Sequence, residues 1–223
     1  MVEFPRELLR RQLSDGLNAM GLGVAVDADA LDALLQYLAE LQRWNRSHNL
    51  TAIRDPQEMV THHLLDSLAL LPYTPEGRLL DVGSGAGLPG VPLAIVRPAQ
   101  DIVLIEPHAK KVAFLRHLRS HLGLARVEVH AGRVESYRPA EPIAAILSRA
   151  TASLAGLDAL TQHLQGSGTQ VLAAKGPGWI AELQEWPRAT ELAPEIIPLT
   201  VPGLPPRFLV RWPKPRLSTD STG

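Results

Sequence analysis

DVGSGAGLPG, residues 81–90, carries two overlapping glycine patterns. Counted from Gly85 it is Gly85-x-Gly87-x-x-Gly90, the spacing of a loop that cradles the pyrophosphate of a dinucleotide. Counted from Asp81 it is Asp-x-Gly-x-Gly-x-Gly, with an acid two residues ahead of the first glycine. The first count points to a nicotinamide enzyme and the second to methyl transfer. Under either count, glycines between a strand and a helix let the backbone turn tightly and approach a ligand closely.

Outward from this loop, short apolar runs alternate with helical segments. RLLDV leads in, and PGVPLAIVR, DIVLIE, PHAKKVAFLRHLRSHL, RVEVHAG, IAAILS, LAGLDALTQHL and TQVLAAK come after it; RFLVRW reads as a final strand. Such alternation implies βαβ units and a parallel sheet. Right-handed crossovers make that sheet open and doubly wound, an α/β fold. Upstream, Leu31, Leu34, Leu35, Leu38, Leu41 and Trp44 recur at intervals of three and four, the stripe of an amphipathic helix. Asp55-Pro56-Gln57-Glu58 starts another helix, with aspartate as N-cap, proline at N1 and glutamate at N3. That helix should run to about Leu71, where Pro72 and Pro75 stop it. The expected organisation is an N-terminal helical extension packed on the core over 1–75, a catalytic α/β domain over 76–213 and a polar, flexible tail over 214–223.

Composition removes several classes of chemistry. With a formal net charge of −1 the molecule is not basic overall, so any contact with nucleic acid has to come from a local patch. The absence of cysteine closes disulfides, thiolate metal sites and cysteine nucleophiles. No secretion-signal layout opens the chain, and no run of about 18 apolar residues would span a bilayer; a soluble cytoplasmic protein is expected. His62, His63 and Asp66 have no third histidine or thiolate at a diagnostic spacing, so no metal is expected there. A His63–Asp66 hydrogen bond fixing the N-terminal helices to the sheet is expected instead.

The ligand reading starts from charge. Pyrophosphate sits on free N–H groups at a helix N-terminus, and Pro89 would offer none beside it. S-adenosylmethionine has no phosphate; its amino acid and sulfonium suit an acid near the loop, and Asp81 supplies one. Glu106, ending IVLIE, can accept both ribose hydroxyl protons, which either ligand would require. Val134 and Glu135, after the third strand, fall where an adenine ring would lie.

Taken together, DVGSGAGLPGVPLAIVRP, LIEPHAKKVAFLR, GRVES, ILSRA and AAKG, with HNLTAIRDPQEMVTHHLLDSL upstream, resemble the glucose-inhibited division protein B (RsmG) family over roughly residues 35–212. The resemblance implies a class I, Rossmann-like methyltransferase fold, S-adenosylmethionine as donor, and N7 of one guanine of 16S rRNA as acceptor (guanine-527 in the family). By motif it implies cofactor contacts at Gly83 and Leu88, beside Gly85, and at Val134, Glu135 and Arg149. Glu106 stands where many relatives have aspartate or another short polar residue.

The residues agree with that chemistry. Pyrimidine C5 methylation through a cysteine adduct is closed to this chain. The Asn/Asp-Pro-Pro-aromatic signature typical of adenine N6 methylation is absent after IAAIL, where Ser148-Arg149-Ala150-Thr151 stands. Guanine N7 already bears a lone pair and needs alignment alone. Arg149 is expected to orient the cofactor or an RNA phosphate. Lys110, Lys111, Arg116 and Arg133, with His117, Arg119, His121, Arg126 and Arg138, form an expected basic collar for RNA phosphates, and Lys175 a further RNA contact. The expected partner is 16S rRNA, free or in the small ribosomal subunit, with the protein a monomer. A small-molecule methyltransferase, a nicotinamide oxidoreductase and a non-catalytic adenosine-ligand binder remain alternatives at this stage.

Overall fold

The computed structural model describes residues 4–149, 152–166 and 168–213. The expected tail at 214–223, and Ala150 and Thr151 of the SRAT stretch, lie outside the described residues. Seven strands form one sheet: β1 (Arg78–Val82), β2 (Ile102–Glu106), β3 (Val127–Ala131), β4 (Ile143–Arg149), β5 (Gln170–Lys175), β6 (Glu195–Leu199) and β7 (Arg207–Trp212), in the order β3-β2-β1-β4-β5-β7-β6. β1 to β5 run parallel, while β7 pairs antiparallel with both β5 and β6. The order reverses at β1, so the ends of β1 and β4 diverge there and open a crevice at the C-terminal edge.

The central strands β1, β2, β4 and β5 are largely apolar because both faces are covered, while β3 and β6 at the edges are partly exposed. Leu79, Leu104, Leu147, Leu172 and Leu209 point into one core; their neighbours Leu80, Val103, Ile105, Ile146, Val171 and Val210 point into the other. The first core also takes Leu9, Leu13 and Leu17 of α1 (Arg6–Ala19) and Leu34, Leu35, Leu38 and Leu41 of α2 (Ala28–His48). The N-terminal helices and the sheet therefore share one apolar interior. The helix opened by Asp55, whose side chain accepts from Gln57 N–H, runs as α3 (Pro56–Met59), a π-helical turn over Val60–Leu65 and α4 (Asp66–Leu68).

Along the rest of the chain lie α5 (Gly90–Val96), α6 (Ala109–His121), α7 (Leu154–Thr161), α8 (Trp179–Gln184) and α9 (Ala189–Leu192). Val112, Phe114, Leu115 and Leu118 of α6 are buried. β6 was not anticipated: Pro198 interrupts its pattern, which an edge strand tolerates because one side of its backbone has no partner. Among the described residues no helix is long and apolar enough to cross a membrane.

Candidate active site

β1 brings Asp81 to the C-terminal edge of the sheet, and the chain turns through the glycine loop into α5. At Gly87 φ is +92°, and a Cβ there would lie 2.5 Å from Val91 Cγ2. At Gly90 a Cβ would lie 2.3 Å from Leu104 Cδ2 and 2.7 Å from Asp81 Oδ2, so this glycine serves close packing. Asp81 is fully buried. Its Oδ2 accepts from Gly90 N–H at 2.9 Å, and Oδ1 has no hydrogen-bond partner among the described residues. Burial lifts its pKa to about 7, opposed by the Gly90 N–H and Arg149, with Glu106 adding to the rise. The expectation that Asp81 stands beside a sulfonium is thereby corrected. Its carboxylate braces the loop from beneath, because a buried helix start needs an acceptor for its free N–H.

The other loop amides, except that of Ala86, are likewise committed. Gly83 and Ser84 donate to Ile105 O at 3.0 and 3.1 Å, and Gly87 and Leu88 to Ser84 O at 2.7 and 2.9 Å. Val91 donates to Gly87 O at 2.7 Å, and Gly85 to Glu106 Oε2 at 2.9 Å. A pyrophosphate cradle needs such groups unpaired and pointing at the ligand. Here they are spent within the chain, with two carboxylates alongside, which argues against the dinucleotide count. Tyr37 of α2, fully buried, donates its hydroxyl to Ala86 O at 3.0 Å and so ties the N-terminal helices to the loop. Sequence reasoning missed it. The signal was a hydroxyl on the apolar stripe between Leu34 and Leu41, which needs a partner once buried.

Glu106 ends β2 with 2% exposure, and its Oε1 accepts from His108 N–H at 2.9 Å. Val134 is buried and Glu135 exposed in a 3-10 turn after β3. The order β3-β2-β1 therefore sets Val134, Glu106 and the loop side by side along one edge.

Further along the same edge, over β4, β5 and β7, opens a cavity of about 570 Å³. Its walls include His62, His63, Asp66, Arg149, Lys175, Glu182 and Arg207. Arg149 lies 3.0 Å from Asp66 Oδ2 and donates to His62 O at 2.5 Å, so it is a partly buried, anchored group. Arg207 Nε lies 3.1 Å from Asp66 Oδ1. The expected His63–Asp66 hydrogen bond is not formed. His63 Nε2 meets Thr51 Oγ1 at 3.0 Å instead, because the wide π turn changes the angular spacing that an α-helix would give. His63 Nδ1 has no hydrogen-bond partner among the described residues. Burial, together with the smaller effect of Arg149, lowers the His63 pKa to about 4, so the imidazole is neutral at pH 7.

Lys175 also needs correction. Expected as an RNA contact at the sheet edge, it is 9% exposed, pairs with Glu182 at 2.8 Å and donates to Ala152 O at 2.5 Å. Its ammonium is drawn inward because a buried charge requires a partner. Lys110 and Arg133 are exposed and Lys111 half-buried, all near the ends of β2 and β3. Arg116 is exposed but lies about 10 Å further down α6. His117 is held by Glu40 of α2 at 2.5 Å. Arg207 and Glu182 were not singled out in the sequence: RFLVRW signals only a strand, and the stretch around Glu182 has no clear period.

Comparison with known proteins adds to this geometry. The family model described as GidB, rRNA small subunit methyltransferase G, matches residues 30–204. The ribosomal RNA small subunit methyltransferase G of Methylobacillus flagellatus is 45% identical, over 88% of this chain and 93% of its own length. Its counterpart in Pseudomonas aeruginosa is 48% identical, over 82% and 85%. Among solved structures, the S-adenosylmethionine-dependent methyltransferase SibL in its apo form has a TM-score of 0.56 at 17% identity, covering 94% of this chain and 74% of that one. The precorrin-6y C5,15-methyltransferase of Geobacter metallireducens has a TM-score of 0.53 at 9% identity, covering 66% and 86%. At such identities the two structures share the fold, a class I methyltransferase sheet.

Proposed function

The chain belongs to the rRNA small subunit methyltransferase G family, and we propose that it transfers a methyl group from S-adenosylmethionine to N7 of one guanine of 16S rRNA. The observation that carries this reading is the continuity of one sheet edge. The loop, Glu106 and Val134 occupy β1 to β3, and the cavity comes directly after them over β4, β5 and β7. A donor lying along the first part would present its methyl toward the second, where an acceptor base has room.

The donor set fits S-adenosylmethionine. In this reading Glu106 takes the ribose hydroxyls, Val134 and Glu135 the adenine edge, and the loop at Gly83, Gly85 and Leu88 makes the backbone contacts. No loop amide is left over for a pyrophosphate other than that of Ala86, whose carbonyl Tyr37 holds. Asp81 maintains the loop. The cofactor supplies an electrophilic methyl on a sulfonium.

The chain supplies alignment, worth about 7–11 kcal/mol of barrier when reacting groups are held in line. N7 has a lone pair and no proton to lose, so the chain needs neither a general base nor a covalent nucleophile. Positive charge passes to the purine during transfer, and added cations beside the ring would oppose it. His63, neutral at pH 7, adds none. In this reading Lys110, Lys111 and Arg133 on the outer rim take RNA phosphates.

The test is incubation of 16S rRNA and of small subunits with methyl-labelled donor, and then mapping of the labelled nucleotide. Label at N7 of a single guanine is expected. Label on free guanosine at a comparable rate, or on another atom, would overturn the reading.

A further inference from the structure

Asp66, Arg149 and Arg207 come from three distant parts of the chain. Asp66 comes directly after the π-helical turn, Arg149 ends β4 and Arg207 opens β7. β4 and β7 are separated by β5, so their backbones stand roughly 10 Å apart. The two guanidinium groups nevertheless converge on the two oxygens of one carboxylate, at 3.0 and 3.1 Å. The Asp66 side chain is 8% exposed, and those of Arg149 and Arg207 are 17% and 26% exposed.

Two guanidinium groups share one carboxylate in a half-enclosed cavity. The neighbouring Lys175–Glu182 pair is neutral and already satisfied, with Lys175 also bonded to Ala152 O. Arg207 approaches Asp66 through Nε at 3.1 Å without a hydrogen bond, and its two terminal nitrogens make no hydrogen bond among the described residues. Gly176 leaves room for them, since a Cβ there would stand 3.3 Å from Arg207 Nη1. A guanidinium with free terminal N–H groups is built to take an oxyanion.

We propose that Asp66 is a positioning residue that joins Arg149 and Arg207 into one cationic unit, and that this unit, through Arg207, seats a phosphodiester of the acceptor RNA. The proposal rests on the reading of the chain as an rRNA methyltransferase. A phosphodiester carries a single negative charge on oxygens that the terminal N–H groups of Arg207 can take. The carboxylate of an amino-acid ligand carries the same charge but is accompanied by an ammonium. The cluster also lies over β4, β5 and β7, on the far side of the loop from Glu106 and Val134.

The test compares the wild-type chain with Arg207→Gln, Asp66→Asn and, as control, Arg6→Gln. Arg6 pairs with Asp32 on the surface of the N-terminal helices and does not line the cavity. Binding of 16S rRNA is measured over a salt series, and S-adenosylhomocysteine binding by calorimetry. Arg207→Gln is expected to weaken RNA binding and to reduce the slope of log K against log salt by about 0.7–0.9, the effect of one lost phosphate contact. Its S-adenosylhomocysteine affinity should stay within about twofold of wild type, and the control should change neither quantity. An unchanged slope in Arg207→Gln overturns the phosphate seat. So does a loss of cofactor affinity with the slope intact, which would assign the unit to the cofactor's carboxylate.

Asp66→Asn adds positive charge, so its RNA affinity and slope should hold or rise. Its kcat on RNA should nevertheless fall at least tenfold, because the two guanidinium groups are no longer gathered. Wild-type kcat in that variant would overturn the positioning role. If Asp66→Asn does not fold, the slope of Arg207→Gln decides alone. The binding arms require no turnover, so a wild-type protein that binds but does not label rRNA would sink the methyl-transfer reading and leave the phosphate seat standing or falling by its slope.

Discussion

Replacing Asp81 by asparagine should change how stability depends on pH, with a sign opposite to that of an ordinary carboxylate. In the folded protein this group holds its proton up to about pH 7, whereas the unfolded chain releases it near 3.8. Between those values the folded state binds more protons, so stability from this group is present at low pH and is lost as pH rises through 7. Evaluated with these two pKa values, the loss between pH 5 and pH 8 is roughly 2.5 kcal/mol. Asparagine can still accept the Gly90 N–H through its amide oxygen, but it has no charge to bury. The asparagine variant should therefore gain roughly 2.5 kcal/mol on wild type between pH 5 and pH 8. The wild-type profile alone conceals this, because His63 titrates in the reverse sense over an overlapping range. The assay is urea unfolding of both proteins at unit steps of pH, comparing the difference in stability at each step. At a slope of about 2.5 kcal/mol per molar urea, the midpoint separation should change by about 1 M across the range. A difference that is constant with pH would show that Asp81 is ionised in the fold throughout, and the account of the loop brace would fail.

His63 gives the complementary result. Its pKa is depressed to about 4 from 6.5, so the stability it contributes is present above 6.5 and is lost as pH falls toward 4, by roughly 2.5 kcal/mol between pH 7.5 and 4.5. His63→Gln should flatten that acid limb in the same urea series, and an unaltered limb would count against a neutral, buried imidazole. Tyr37→Phe removes the hydroxyl that holds Ala86 O, costing about 1 kcal/mol of stability. If the tie also shapes the loop for ligand, calorimetry should show S-adenosylhomocysteine binding weakened about fivefold, and equal affinity would confine the tie to folding. Gly90→Ala must displace Leu104 and the Asp81 carboxylate, at about 1–3 kcal/mol, and should weaken the same ligand; wild-type behaviour would refute the close packing. Arg149→Ala should lower turnover at least tenfold while thermal unfolding moves by only a few degrees, since Asp66 keeps Arg207 as partner; wild-type turnover would remove Arg149 from the site.

The sheet was legible because β1, β2, β4 and β5 are short, mostly apolar runs bounded by glycine, proline or charge, made continuous by burial on both faces, and β3 at the edge alternates apolar with polar residues. The glycine loop was legible as a loop, and Glu106 as the acid that ends β2. The direction of Asp81 was not legible, since spacing places a residue on a strand without saying which side of a loop its oxygens serve. Lys175 failed for a similar reason: its position at the end of β5 was right, but Glu182, seven residues on, turns its ammonium inward. The meeting of Asp66 with Arg207 lay furthest from view. Their separation in sequence is large, and nothing local in HHLLDS or RFLVRW records it.

That meeting bears on why the N-terminal helices accompany the sheet. The parallel strands by themselves set the loop, Glu106 and Val134 in line, which provides for a donor. Tyr37, His63 and Asp66 all come from the helices before β1, and they reach the loop and the cavity from one side of the sheet. The π turn over Val60–Leu65 belongs to this arrangement. A one-residue change of phase in a helix rotates every later side chain by about 100°, so a regular α-helix through the same segment would not carry Asp66 to the same bearing relative to Val60. A turn of this kind costs hydrogen-bond quality and persists where packing or function holds it. Here the leucines beside it, Leu64 and Leu65, are buried in the core shared with the sheet, so the packing that fixes the turn also fixes the carboxylate on which two arginines converge.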